Sequence, residues 1–174
     1  MEKMMIETKR LMLMKISSGD LEVISKILSS PTQTKFLPNQ APYSDEHQRK
    51  YLFNRIEHWS KYGFGTFVVA LKEDPIVKVG FVGAEYAPNP KYVDIRFGIA
   101  SDYEGKGIIT ESAKSLVTWF FDNTQHSELY GVAMANNFGS KSVLSKIGME
   151  PVKGVNLYDC KELESFCLRA INTK

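Results

Sequence analysis

Apolar and polar positions along the chain change period several times, and the order of the changes outlines a fold. From Glu7 to Ile16 the two kinds alternate, Leu11 and Leu13 against Lys9, Met12 and Lys15, which predicts a first strand. Ser18-Gly19-Asp20 then caps an amphipathic helix carrying Leu21, Ile24, Ile27 and Leu28. Residues 31–43 contain three prolines and read as an irregular loop. A second helix is expected from about Asp45 to Tyr62, with Tyr51, Leu52, Ile56 and Trp59 on one face and Gly63 and Gly65 ending it. Two β-rich runs, Thr66–Leu71 and Ile76–Tyr86, flank the charged turn Lys72-Glu73-Asp74-Pro75 and predict an antiparallel hairpin. A third run, Tyr92–Ala100, follows Pro88-Asn89-Pro90. Helical spacing then returns in Ile109, Ala113, Leu116, Val117 and Phe120, up to about Asn123. Glu128–Ala135 reads as a strand, Ser140–Ile147 as a short helix closed by Gly148, and 155–171 as one or two terminal strands. No repeat, linker or low-complexity tract divides the series, so residues 1–174 are expected to form a single domain.

Charge and cysteine content narrow the function classes. The 22 basic and 20 acidic residues are spread along the chain and leave a net charge of +2, so no nucleic-acid footprint is visible. Charges interrupt the apolar residues of MEKMMIETKRLMLMK, and no stretch reaches about 18 apolar residues, so no membrane association and a cytoplasmic location are expected. Cys160 and Cys167 are the only cysteines and are expected to be reduced thiols. His47, His58 and His126 show no ligand spacing, and surface or packing duty is expected of them rather than metal binding.

The segment Asp102-Tyr103-Glu104-Gly105-Lys106-Gly107 stands between a strand and a helix. Such a loop lets backbone N–H groups converge on a phosphate at the positive end of the helix. Without a Cβ, Gly105 and Gly107 admit a pyrophosphate to the main chain, and Lys106 adds positive charge. The alternative is a turn that merely enters a helix. The dinucleotide fingerprint fails because Thr110 stands at its third glycine, and no GK[ST] pair makes a Walker A loop.

About thirty residues on lies Asn136-Asn137-Phe138-Gly139-Ser140-Lys141-Ser142-Val143-Leu144-Ser145-Lys146-Ile147-Gly148-Met149. Together the two segments resemble the GNAT superfamily of N-acetyltransferases, in which N-x-x-S-x-x-V-L-x-K-x-G follows the glycine loop. Glu104-Gly105-Lys106-Gly107-Ile108-Ile109-Thr110-Glu111 is similar to the form found in the subgroup that acetylates bacterial ribosomal-protein N-termini, as is the opening Glu7-Thr8-Lys9-Arg10-Leu11-Met12-Leu13. The resemblance runs over nearly the whole chain and is strongest from Tyr92 to Met149. Glu104 stands where the wider family has Gln or Arg, and Ile109 where it has Gly or Ala; both side chains are expected to point away from the loop.

The resemblance implies an α/β (α+β) fold: a mixed, mostly antiparallel sheet of six to seven strands with a parallel, splayed central pair, flanked by about four helices. It implies acetyl-CoA as cosubstrate, with no metal. Main-chain groups of Phe97, Gly98 and Ile99 and the side chain of Asn137 would bind the pantetheine arm; Gly105, Lys106, Gly107, Ile108, Ile109 and Thr110 would take the pyrophosphate. Asp94 stands where many relatives carry a glutamate that takes the amine proton, with a pairing to a lysine as the alternative. The tyrosine that protonates the thiolate in many relatives is replaced by Leu144, and Ser140, one turn earlier, is the substitute that the subgroup pattern offers, with helix capping as its alternative. Phe36, Trp59, Tyr62, Phe64 and Tyr86 are available to line an amine pocket, or to serve as core. The acceptor would be a protein N-terminus or a small-molecule amine, and the protein a monomer or homodimer. A coenzyme A-binding module without turnover and a ribosome- or RNA-binding protein are the competing classes, the latter disfavoured by the balanced charge.

Overall fold

The computed structural model describes residues 4–37 and 40–171. Its core is an eight-stranded sheet in the order β1-β2-β3-β4-β5-β6-β8-β7. The strands are β1 (Met5–Glu7), β2 (Leu11–Lys15), β3 (Thr66–Leu71), β4 (Lys78–Tyr86), β5 (Val93–Ile99), β6 (Glu128–Met134), β7 (Glu150–Val152) and β8 (Leu163–Arg169). Every neighbouring pair is antiparallel except β5–β6. Five α-helices accompany it among the described residues: α1 (Leu21–Leu28), α2 (Pro31–Thr34), α3 (Asp45–Tyr62), α4 (Ile108–Asn123) and α5 (Phe138–Lys146).

The expected mixed sheet with one parallel pair is present, with eight strands where six to seven were expected, two of them only three residues long. The first is β1, which precedes the predicted strand Glu7–Ile16; of that range Leu11–Lys15 forms β2, and its first residues turn back to pair with β1. The Thr8 N–H donates to Leu11 O at 2.9 Å while Thr8 Oγ1 accepts from Leu11 N at 3.0 Å, folding β1 back on β2. The second is β7, which pairs with β8 directly after the turn that Gly148 makes at φ 97°. Within the expected terminal strands, residues 155–162 form a loop, and only Leu163–Arg169 joins the sheet. The loop expected over 31–43 contains the short α2; Pro38 and Asn39 lie outside the described residues.

Side-chain alternation decides which helix covers which face. Tyr51 of α3 packs on Phe81, and Arg55 reaches Glu85 on the same face of β4. Phe67 is the register partner of Val82 and so occupies the opposite face, where Trp119 of α4 meets it at a ring separation of 5.1 Å. Leu11, Leu13, Ile24, Phe67, Val69, Leu116, Phe120 and Leu129 are fully buried in one continuous core. No helix among the described residues is long and apolar enough to cross a membrane.

Candidate active site

The β5–β6 pair explains why a cleft exists. Only Asp94 and Tyr130 stand in parallel register, and beyond them toward the strands' C-terminal ends the two chains diverge. Strands that diverge leave N–H and C=O groups without ladder partners, and these must be satisfied by something that enters between them. The cleft so opened measures about 1350 Å3, with Phe97, Gly98 and Ile99 on one wall and Val132, Ala133 and Met134 on the other.

At its wide end the chain turns through Ser101–Tyr103 into the glycine loop and α4. Gly105 and Gly107 have φ of 72° and 74°, the left-handed region, and Gly107 is the N-cap of α4. A Cβ added at Gly105 would meet no atom within 4 Å, and one at Gly107 only Arg10 Nη2, at 3.5 Å. Open space above a positive-φ turn at the start of a 16-residue helix fits an anion that needs backbone donors. Glu104 is exposed and bonds Gln33 of α2, and Ile109 is buried, yet both residues line the cleft that they were expected to point away from. Lys106 holds its ammonium over the Tyr103 ring, 5.1 Å from the centroid, and does not join Gly105, Gly107, Ile108, Ile109 and Thr110 in lining the cleft.

Across the cleft, Asn137 is the N-cap of α5, its Oδ1 accepting from Ser140 N at 3.2 Å. Capping is therefore the job of Asn137 rather than of Ser140, which lines the cleft and whose hydroxyl has no hydrogen-bond partner among the described residues. Leu144 packs inward against Gly131, near Ile95, fully in the core.

Asp94, at the apex of the divergence, is 1% exposed, and its partner is an arginine rather than a lysine. Arg96 Nε donates to its Oδ1 at 3.3 Å, and the Tyr158 hydroxyl donates to Oδ2. Burial pushes the Asp94 carboxyl above its ordinary value, against the pull of the Arg96 charge and the Tyr158 hydrogen bond. Burial likewise pushes the Tyr158 hydroxyl up, reinforced by the Asp94 charge. Behind them Glu85, register partner of Asp94, accepts from Thr66 Oγ1 at 2.6 Å, pairs with Arg55 at 2.8 Å and lies 3.8 Å from Arg96 Nη1. Two buried carboxylates and two arginines thus balance.

Sequence reasoning missed Arg96 and Tyr158. Arg96 carried a signal, two positions from Asp94 and so on the same face; Tyr158 is 64 residues away in a loop and carried none. The aromatic candidates, left open between pocket and core, now divide. Of them only Phe36 lines the cleft, joined by Tyr43 and Tyr51. Trp59 instead packs on Phe67 and Trp119, while Tyr62, Phe64 and Tyr86 cluster with His58, and Phe64 and Tyr86 with His126. There His58 Nδ1 lies 2.8 Å from Phe64 O and its Nε2 accepts from Tyr86 N at 3.0 Å, a packing role. Cys160 and Cys167 are both free thiols.

Comparison with known proteins gives this architecture a family. Residues 10–150 match the model of the acetyltransferase (GNAT) domain. An acetyltransferase from Agrobacterium tumefaciens superposes with a TM-score of 0.86 at 18% identity, over 98% of this chain and 96% of that one. The ribosomal-protein-S5-alanine acetyltransferase from Vibrio fischeri does so with a TM-score of 0.75 at 17% identity, over 98% and 99%. RimL, a ribosomal L7/L12 α-N-protein acetyltransferase in complex with coenzyme A, gives 0.76 at 15% identity, over 95% and 98%. With four-fifths of its length covered by that family model, the chain belongs to the GNAT acetyltransferases and is an acetyl-CoA-dependent acyltransferase.

Proposed function

We propose that this enzyme acetylates the α-amine of a protein N-terminus. The observation that carries the reading is the cleft itself. Besides the glycine loop and the diverging strands it is lined by Phe36, Tyr43, Tyr51, Tyr158, Cys160 and Glu162, and its volume of about 1350 Å3 leaves room for several residues of extended chain beside a cosubstrate. Its charged liners, Lys35, Arg96 and Lys146 against Asp94, Glu104 and Glu162, cancel. A polyamine would call for an acidic field, whereas one α-ammonium does not. RimL and the Vibrio fischeri enzyme, whose names specify ribosomal-protein substrates, support this choice.

Acetyl-CoA supplies an activated thioester. In our reading its pyrophosphate rests on the N–H groups of Gly105, Gly107 and Ile109, with Ile108 and Thr110 completing the first turn of the helix. Its pantetheine arm runs between Phe97–Ile99 and Asn137, where the main-chain donors freed by the divergence polarise the carbonyl. Asp94 takes the proton of the attacking amine through Tyr158: the amine gives its proton to the phenol oxygen as the phenol proton passes to Asp94 Oδ2. As the C–S bond breaks, the Ser140 hydroxyl protonates the departing thiolate and recovers its proton from water.

Two measurements bear on this. Incubation with acetyl-CoA and a panel of peptides differing at the first residue, with a spermidine and aminoglycoside arm, should give thiol release and a product heavier by one acetyl group at the peptide α-amine. Acetylation confined to small amines would overturn the acceptor assignment, and no thiol release with any acceptor would leave only cofactor binding. Gly107→Val should weaken acetyl-CoA binding about tenfold to a hundredfold by calorimetry. A branched side chain at φ 74° is strained by about 1–3 kcal/mol and its methyls enter the open space above the loop. Unchanged affinity would rule out the pyrophosphate site.

A further inference from the structure

The glycine loop is tied to the N-terminal hairpin by contacts that the catalytic reading leaves unused. Glu111 sits in the first turn of α4, where a carboxylate faces the same N–H groups as an incoming phosphate and repels it. Its side chain is instead drawn off. Thr8 Oγ1 donates to Oε1 at 2.7 Å, Arg10 N donates to Oε1 at 2.9 Å and Arg10 Nε donates to Oε2 at 2.7 Å. The same guanidinium donates from Nη1 to Lys106 O at 2.9 Å, gripping the loop between its two glycines. Thr8 is itself fixed by the hairpin turn and by Lys72 Nζ, which donates to its carbonyl at 3.2 Å. Burial alone would raise the Glu111 carboxyl, but the Thr8 and Arg10 hydrogen bonds and the Arg10 charge outweigh it and hold the group below its ordinary value.

We infer that Thr8, Arg10 and Glu111 form a positioning clamp that shapes the glycine loop and masks an acid at the helix start, tuning the enzyme for donors that carry a pyrophosphate. The inference rests on the pyrophosphate reading given above. Arg10 is 47% exposed in this pair, so the clamp adds little to global stability, and its worth lies in local order. None of the three side chains lines the cleft.

The test compares acetyl-CoA with acetyl-pantetheine, which has the same thioester but no pyrophosphate. Wild type should show a higher kcat/KM with acetyl-CoA. In Arg10→Ala the ratio of the two kcat/KM values should fall about tenfold, the worth of one charge-assisted hydrogen bond, mostly through the KM for acetyl-CoA. Adding Glu111→Gln to Arg10→Ala should restore most of that ratio, because the unmasked charge is then gone; a contact that only braced the fold would not be rescued by losing its second half. Thermal melting of each variant should stay within a few degrees of wild type. An equal loss with both donors, no loss, or no rescue by Glu111→Gln would each overturn the clamp. A wild type that treats the two donors alike would overturn the pyrophosphate reading itself, and the clamp with it.

Discussion

Asp94→Asn is expected to lower kcat by about a hundredfold to ten-thousandfold, the range of a positioned general base. The variant keeps the size of the side chain, so the loss is chemical rather than a cavity effect. An amide has one acceptor oxygen where the carboxylate offers two. Either Arg96 Nε or the Tyr158 hydroxyl must then face an NH2 group, and the proton path from Tyr158 has no acceptor at its end. Stability should fall as well, because removing one charge from a buried pair costs about 3–5 kcal/mol when the other is left alone. Here Glu85 remains 3.8 Å from Arg96 Nη1, so the loss should sit at or below the lower end of that range. The pH profile separates the two effects. Asp94 works as a base only when ionised, and burial raises its pKa, so the acid limb of wild-type kcat should lie above the ordinary carboxylate range. That limb should disappear in Asp94→Asn, and raising the pH should partly rescue the variant by supplying more neutral amine. Tyr158→Phe should reproduce most of the kinetic loss while leaving the Asp94–Arg96 pair, and with it most of the stability, in place. Full activity in Tyr158→Phe would take the phenol out of the path, and a loss in Asp94→Asn that does not vary with pH would make the aspartate an anchor for Arg96.

What the sequence made legible follows from the range over which each signal acts. Helix α4 and its glycine start are local: Ile109, Ala113, Leu116 and Phe120 repeat at helical spacing, and Gly105 and Gly107 stand where left-handed backbone is needed. The mostly antiparallel sheet was readable from the alternating runs and their turns. Short-range competition produced one error. The hydroxyl of Thr8 offers the backbone a turn partner inside what otherwise alternates as a single strand, and the chain reverses there. A choice that the sequence left open, pocket or packing, was decided by partners. Tyr62, Phe64 and Tyr86 look available because they are aromatic and follow a helix, yet three-dimensional packing gives them to His58 and, for Phe64, to Phe120. The residues expected at the site, Asp94, Phe97, Gly98, Ile99, Gly105, Gly107, Asn137 and Ser140, do come to line one cleft. The pairing of Asp94 with Tyr158 and of Arg10 with Glu111 spans 64 and 101 residues, and no periodicity in the chain encodes contacts of that separation.

Ser140→Ala should act at the opposite end of the proton path, lowering kcat about tenfold to a thousandfold while leaving acetyl-CoA affinity nearly unchanged. The structure removes the ordinary reason for a serine at this position, since Asn137 supplies the cap of α5 through its bond to the Ser140 backbone N–H, a bond that alanine keeps. Helix stability is therefore expected to survive the change, and melting curves should nearly coincide. What alanine loses is a hydroxyl one turn before Leu144, at a cleft-lining position of α5, where Leu144 itself is turned into the core. A donor that acts only on the departing thiolate stabilises the transition state and not the bound ground state, so its removal appears in kcat rather than in binding. Leaving-group basicity gives the sharper check. Acetyl donors whose thiols are more acidic need less help in leaving, so the gap between wild type and Ser140→Ala should narrow along such a series. A gap that stays constant would assign the serine to substrate placement, and equal activity with acetyl-CoA itself would make water the proton donor.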